Sequence, residues 1–313
     1  MHNDCNSYLV KYAGICGSDI NKAKDPTFLE KDILTLGHEV VCQSDTGDLY
    51  VVNPFFCASN CPDCSQRSYL HCAKVNRLGS GNADGGYSGK ICISFKKLYS
   101  VPLCSHPEVG VLCDGVAVVL HGFHMLTWLN VQKMAIIGAG SIGVLAALIA
   151  KEAHPALTID IFCKSDKKRD YLFQLYGNSF NFIDINDVSR TNDCYDLVLE
   201  AVGGKQTNTL SLAIDIVRNN GSILVLGSFH EDCNYPSRLR QLFYKQITLT
   251  GVNSFCKEYH DFQKAFQWTF SHEELLFPLI TDFYHIDRSN VNSKELLHLV
   301  LEHKMLKGCL VYE

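Results

Sequence analysis

Four thiols fall within sixteen residues, as Cys57-x3-Cys61-x2-Cys64-x7-Cys72. Closely spaced thiolates of this kind can close a tetrahedral zinc site of the structural type, with no position left open. The chain has fifteen cysteines in all. In a large chain whose first ten residues lack an apolar core, and so lack a secretory leader, metal ligation explains such a cluster better than disulfides do. The scattered cysteines, Cys5, Cys42, Cys92, Cys104, Cys163, Cys194, Cys233, Cys256 and Cys309, are expected mostly as small buried apolar residues. A second, looser set is Cys16 in Gly14-Ile-Cys-Gly-Ser-Asp19 and His38 in Gly37-His-Glu39. A catalytic zinc takes three Cys, His or carboxylate ligands and keeps one position for water or substrate. Spacing alone does not separate that role for Cys16 and His38 from an ordinary core position.

A third pattern is Gly138-Ala-Gly140-Ser141-Ile142-Gly143, a G-x-G-x-x-G. It follows the apolar run Ala135-Ile-Ile137 and opens a helical stretch from Ser141 to Glu152. In that context the first glycine makes a tight turn and the second lets backbone approach a pyrophosphate. The third allows close helix–strand packing, and the helix N-terminus attracts phosphate. Cofactor choice is then set at the end of the next strand, Leu157–Cys163, where an acidic residue would hold the ribose hydroxyls of NAD. Here the chain reads Cys163-Lys164-Ser165-Asp166-Lys167-Lys168-Arg169. No carboxylate stands at Cys163 or Lys164, Asp166 suits a helix N-cap, and Lys164, Ser165 and Lys168 are suited to a 2′-phosphate. The charge pattern favours NADP over NAD.

These sites need two kinds of scaffold. The length of 313 residues suits two domains, and 47% hydrophobic with 19% charged residues is ordinary for a globular chain. A net charge of −5 argues against nucleic acid and anionic membranes as partners. The uncharged run Met134 to Ala150 is short for a bilayer and broken by glycines, which fits a buried strand, turn and helix better. A cytoplasmic location is expected. Before residue 113, short β-like runs such as Asp48–Val52 and Lys90–Ser94 lie among Gly, Pro, Asn and Asp, as in a loop-rich β domain. After it, strands and helices alternate. The strands are Ala135–Ile137, Leu157–Cys163, Leu197–Leu199, Ser222–Leu226 and Ile247–Thr250. The helices are Ser141–Glu152, Lys167–Tyr176 and Gln206–Val217. That rhythm predicts a parallel sheet covered on both faces. From Phe277 the texture is mixed, and a last strand, Cys309–Tyr312, is expected to return to the first domain.

The ordered set Gly14–Asp19, Gly37–Glu39, Cys57–Cys72, Asp84-Gly-Gly86 and G-x-G-x-x-G resembles the zinc-containing medium-chain alcohol and polyol dehydrogenases. Asp196-Leu-Val-Leu-Glu-Ala-Val-Gly203 and Asn220-Gly-Ser-Ile-Leu-Val-Leu-Gly227 are similar to that family's later Rossmann strands. The resemblance implies an α/β protein: a GroES-like β-barrel catalytic domain from 1–113 and 277–313, and a doubly wound Rossmann domain over 114–276, with the active site in the cleft. It implies Cys16 and His38 as catalytic-zinc ligands, with Glu39 binding or approaching the metal. The third ligand is Asp114 when aligned on the polyol-type Leu120-His121, or Cys113 on the cinnamyl-alcohol type, and Asp114 is the preferred reading. Ser18 matches the hydroxyl that relays the alcohol proton, while Asn21 stands where many members have a titrating histidine. Val202 and the Leu226–Ser228 turn are expected to position the nicotinamide. Cys163–Lys168 is similar to the cofactor segment of NADP-using cinnamyl alcohol dehydrogenases.

The implied activity is hydride transfer between NAD(P) and a small alcohol or polyol and its carbonyl. The rivals are a zinc-structured nucleotide-binding protein without catalysis and a zinc-independent quinone or enone reductase. Only fifteen residues precede Cys16, and the stretch from Glu39 to Cys57 is short. Both departures imply a trimmed β domain whose exposed edges a second subunit covers, in a homodimer or homotetramer.

Overall fold

A computed structural model describes residues 5–24, 33–57, 72, 75–79, 83–128, 130–190, 194–233, 239–255 and 260–313. It divides into two compact units, 1–117 with 255–313, and 118–254.

The first unit is built on a seven-stranded sheet in the order β14-β15-β1-β2-β3-β7, with β6 also pairing with β1. Strand β1 (Asn6–Ile15) organises it. Its first residues pair with β6 (Lys90–Ile93), its middle with β2 (Val40–Gln43) and its end with β15 (Lys307–Tyr312). The ladder slips between Val10 and Tyr12, and such a bulge bends a long strand so that it can serve several partners. Beyond β2 lie β3 (Leu49–Val52) and β7 (Leu98–Ser100), and β14 (Ile280–Ile286) runs parallel to β15. The final strand does return to the first unit, as the sequence predicts. It starts at Lys307 rather than Cys309. Alternate residues of these strands face one core that includes Val10, Ala13, Ile15, Leu36, Val40, Tyr87, Ile91 and Tyr312. A small separate hairpin-like pair, β4 (Phe55–Cys57) and β5 (Val75–Arg77), belongs to the same unit.

The second unit is a six-stranded, all-parallel sheet in the order β10-β9-β8-β11-β12-β13. In chain order within the unit that is 3-2-1-4-5-6, the doubly wound Rossmann arrangement. Its strands are β8 (Lys133–Ile137), β9 (Thr158–Cys163), β10 (Asn181–Asp184), β11 (Tyr195–Glu200), β12 (Val217–Val225) and β13 (Thr248–Gly251). The central strands β8, β9 and β11 are largely buried, as expected of parallel strands covered on both faces. The run Met134 to Ala150 resolves into β8, a turn and the helix Ser141–Ala153. No helix among the described residues is long and apolar enough to cross a membrane.

Two expectations about individual residues need correction. The helix Asp166–Tyr176 is capped by Ser165, whose hydroxyl accepts from the Lys168 amide, so Asp166 is its first helical residue rather than its cap. Cys5 and Cys92 are not lone apolar residues. Cys5, just before β1, and Cys92, on β6, form a disulfide, with Cα atoms 5.7 Å apart. Cys42, Cys163 and Cys309 are buried as expected.

Candidate active site

Metal-ligating side chains converge in the first unit. Ligand atoms of Cys16, His38 and Glu39 all lie within 4.8 Å of one another. Cys16 lies between the end of β1 and the start of helix α1 (Gly17–Lys24). His38 and Glu39 enter β2, the strand beside β1. The register of two neighbouring strands therefore brings together residues 22 apart in sequence. Gly14 makes the close approach possible, because its amide donates to the Glu39 carbonyl at 2.8 Å and a Cβ there would overlap the Glu39 carboxylate.

The Asp84-Gly-Gly86 motif supports the same turn. A Cβ on Gly85 would overlap the Leu36 carbonyl, and the Gly86 amide donates to the Gly37 carbonyl at 2.8 Å. Gly37 itself has φ +93° and faces the Tyr87 ring so closely that a Cβ would lie 2.5 Å from it. The glycines of both motifs thus serve to set the backbone that carries His38.

His38 is buried and held from both sides. Its Nδ1 is 3.4 Å from Asp19 Oδ2, and its Nε2 is 3.8 Å from Asp114 Oδ2. Asp19 Oδ2 also accepts from the Tyr87 hydroxyl at 3.2 Å. Burial alone would lower the imidazole's proton affinity, but Asp19 beside it outweighs this and pushes its pKa up to about 10. Asp19 is correspondingly held below the usual carboxylate range: burial works against this, and His38 overrides it. Asp114 opens helix α2 (Cys113–His124), where a carboxylate suits the helix N-terminus. Cys113 is buried and its thiol is pushed up to about 12 by burial. Of the two adjacent candidates, Asp114 is the one beside His38.

Glu39 is buried with a partner. Lys307 Nζ donates to both carboxylate oxygens, at 2.8 and 2.7 Å. Ser18, on the first turn of α1, donates from its hydroxyl to Cys16 Sγ at 3.3 Å. Arg77, on β5, places a guanidinium nitrogen 4.0 Å from Asp114 Oδ2. Asp19, Tyr87, Lys307 and Arg77 are the members of this cluster that sequence reasoning missed. Asp19 was visible as the acid of the Gly14–Asp19 motif. Lys307 was visible as a lone charge beside an apolar strand. Cys72 is buried, whereas the side chain of Cys57, and all of Cys61 and Cys64, lie outside the described residues.

Two atoms test whether a metal fits. His38 Nε2 and Asp114 Oδ1 are buried without a hydrogen-bond partner among the described residues. Orphaned buried atoms of this kind are costly unless something else satisfies them. Together with the Cys16 sulfur they form an S, N, O donor set suited to zinc. The other ring nitrogen of His38 faces a carboxylate, as metal-ligating histidines commonly do.

The second unit carries the dinucleotide turn. Gly138 has φ +111°, and a Cβ there would lie 2.7 Å from the Val202 side chain. Gly140 caps the helix Ser141–Ala153, and a Cβ on it would meet nothing within 4 Å, so this is the open side of the turn. A Cβ on Gly143 would overlap the Gly138 carbonyl. Ser141 and Ile142 are half-buried on the first helical turn. At the end of β9, Cys163 is buried, Lys164 is exposed, and Ser165 and Lys168 are partly buried. Burial lowers the Lys168 pKa. Val202 is 48% exposed, Leu226 is partly buried and Ser228 exposed. The turn that carries Val202 has an organiser the sequence reading passed over. Glu200, fully buried at the end of β11, accepts from the Val202 and Gly203 amides at 3.1 and 3.0 Å and from the Thr209 hydroxyl at 2.7 Å.

A metal-competent β unit whose chain is interrupted by a 3-2-1-4-5-6 Rossmann unit defines the medium-chain dehydrogenase fold. No family model matches the chain. Galactitol 1-phosphate 5-dehydrogenase of Escherichia coli K12 is 28% identical over 272 residues, 80% of this chain and 76% of the relative. The solved structure of the Escherichia coli galactitol-1-phosphate dehydrogenase superposes with a TM-score of 0.78 at 24% identity, covering 99% of this chain and 93% of that one. Cinnamyl alcohol dehydrogenase 1 of Capsicum annuum is 24% identical over 80% of this chain and 77% of its own. A zinc-binding dehydrogenase of Sinorhizobium meliloti 1021, solved bound to NADP, has the same fold, with a TM-score of 0.76 at 18% identity over 99% of this chain and 93% of that one. The chain is a homologue of the zinc-type alcohol and polyol dehydrogenases and shares their GroES-like plus Rossmann fold.

Proposed function

We propose that the chain is an NAD(P)-dependent, zinc-using oxidoreductase that interconverts a small alcohol or polyol and its carbonyl compound, with NADP preferred. The observation that carries this reading is the pair of orphaned buried atoms, His38 Nε2 and Asp114 Oδ1, beside Cys16, in a chain that also builds a Rossmann turn. Cys16, His38 and Asp114 would hold the catalytic zinc, and Cys57, Cys61, Cys64 and Cys72 a structural one. When bound, zinc supplies Lewis acidity that makes the alcohol more acidic, and the nicotinamide supplies the hydride acceptor.

The chain's own residues do the rest. Asp19 fixes the ring of His38 with Nδ1 inward, leaving Nε2 for the metal. Ligation takes the neutral imidazole, so loading with zinc releases the proton that Asp19 otherwise stabilises on His38. Lys307 engages both Glu39 oxygens, so Glu39 approaches the metal as a neighbour rather than as a permanent ligand. Ser18 takes the alcohol proton. Asn21 cannot titrate and is exposed, so the proton passes on to water. Gly138, Gly140, Ser141, Ile142 and Gly143 cradle the pyrophosphate, Lys164, Ser165 and Lys168 meet the 2′-phosphate, and Val202, Leu226 and Ser228 line the nicotinamide. The named activities of the relatives, on a polyol phosphate and on cinnamyl alcohol, bracket the substrate class. A homodimer or homotetramer in the cytoplasm is the form we expect.

Titration with NADPH and NADH, followed by an alcohol panel with the zinc-loaded protein, tests the proposal. Tighter binding of NADPH and turnover of at least one alcohol or polyol are expected. Tighter binding of NADH would overturn the cofactor preference, and full turnover by Cys16→Ala would overturn the role of zinc.

A further inference from the structure

Two cysteines that the zinc chemistry does not use are joined to each other. Cys5, just before β1, and Cys92, on β6, form a disulfide between residues 87 apart in sequence. Both lie at the surface. Nine other cysteines among the described residues are free, and each of those is buried or only partly exposed. Among the described residues, the oxidised pair is therefore the one most open to a thiol in solution. Exposed disulfides are the labile ones, and where most thiols stay reduced a disulfide is usually transient or redox-sensing.

The bond lies where two supports of the metal site meet. In the ladder between β1 and β6, Asn6 stands opposite Ile93 and Ser7 opposite Cys92, and the disulfide ties the chain just beyond that end. Among the described strands, β6 pairs with β1 alone. Followed forward, β1 ends at Ile15, one residue before Cys16. Followed back from β6, the chain reaches Tyr87, whose hydroxyl donates to Asp19 behind His38, and Gly86, whose amide donates to the Gly37 carbonyl. The loop that the bond closes contains Cys16, His38, Glu39 and the Cys57–Cys72 cluster. Closing so long a loop removes conformations from the open chain, and so resists unfolding of the unit that carries the ligands. A metal leaves most readily when its ligands come apart, so whatever resists that opening slows its loss.

We propose that Cys5–Cys92 is a reversible redox clasp on the metal-bearing unit: oxidised, it keeps zinc in place, and reduced by a thiol it lets the metal exchange. This rests on the zinc reading of Cys16, His38 and Asp114, and the test separates the two. The exchange balances with two thiols. The thiolate of the first attacks one sulfur, the S–S bond breaks, and the departing protein thiolate takes a proton. The second thiolate attacks the mixed disulfide, releases the other protein thiol with its proton, and leaves the reductant as its own disulfide. Two electrons and two protons reach the protein for the one bond lost.

Zinc-loaded protein is equilibrated in mixtures of reduced and oxidised glutathione, trapped by alkylation and read peptide by peptide by mass spectrometry. Parallel samples are freed of glutathione, and zinc release to a chromogenic chelator is timed. The pair should pass reversibly between disulfide and dithiol, while buried Cys42 and Cys309 remain thiols. Reduction should speed zinc release by ~10-fold and lower the melting temperature by ~5 °C or more. Cys92→Ser should release zinc at the reduced rate whatever the glutathione ratio. A pair that stays oxidised in every mixture is a permanent staple and overturns the inference, and so does an equal rate of zinc release from the two forms. If the wild type holds no zinc yet melts lower on reduction, the clasp stands and the zinc reading falls. Should C92S fail to fold, the reduced and oxidised wild type decide by the same measurements.

Discussion

His38 shows how a ligand is made from its surroundings. Asp19 and Tyr87 form a buried chain behind it, so the ring's orientation depends on residues that never touch the substrate. Asp19→Asn should leave the three proposed ligands in place yet weaken zinc affinity by roughly 10- to 100-fold, read by competition with a chelator. Lys307 is a sterner case. It is buried, and its carboxylate partner among the described residues, Glu39, is buried too. Lys307→Met strands a charge in the core and should cost about 3–5 kcal/mol in denaturant unfolding. A loss below ~1 kcal/mol would show that Glu39 finds another partner or is neutral. Cys16 and His38 stood out through a resemblance carried by short motifs, which also preferred Asp114 over Cys113. Lys307 and Tyr87 did not, because their roles depend on which strand and turn pack against β1 and the Gly37 turn, a long-range outcome with no sequence period.

Elements divide in the same way. The Rossmann turn was readable from sequence because strand, glycines and helix are consecutive. Gly138 and Gly143 have the steric duties that the pattern implies, while Gly140 faces open space. Gly143→Val drives a side chain into the Gly138 carbonyl and should lower NADPH affinity by at least 10-fold in a fluorescence titration. The ends of elements were less legible. The cap fell on Ser165 rather than Asp166, one residue away, because both side chains can accept from a helix amide. In the sheet, Asp196 on β11 fastens the start of β8 through the Gln132 and Lys133 amides, at 2.8 and 2.7 Å, and meets Arg218 on β12. Burial raises its pKa, but Arg218 and the two amides outweigh that and hold it below the usual carboxylate range. A depressed carboxylate stabilises the fold above its unfolded pKa, and that contribution is lost as pH falls through the folded one. The stability gap between wild type and Asp196→Asn should therefore be constant at neutral pH and close below about pH 4. A gap unchanged at pH 3 would contradict the assignment.

At the scale of the molecule, the chain separates its two chemistries. Cys16, His38, Glu39, Asp114 and Lys307 come from distant parts of the sequence yet belong to one unit, and every proposed cofactor contact lies between residues 138 and 228 in the other. The alternation of strands and helices made the second unit legible as a whole. The first was legible mainly through its motifs, because its irregular sheet is specified by long-range pairing around β1. The separation makes a sharp demand on the central claim. Zinc content, NADPH affinity and alcohol oxidation are to be measured on the same preparations of wild type and His38→Ala. The account predicts that H38A loses one zinc per chain and its turnover, while NADPH affinity stays within about 3-fold. Retained turnover in H38A, with the zinc count unchanged, would contradict it.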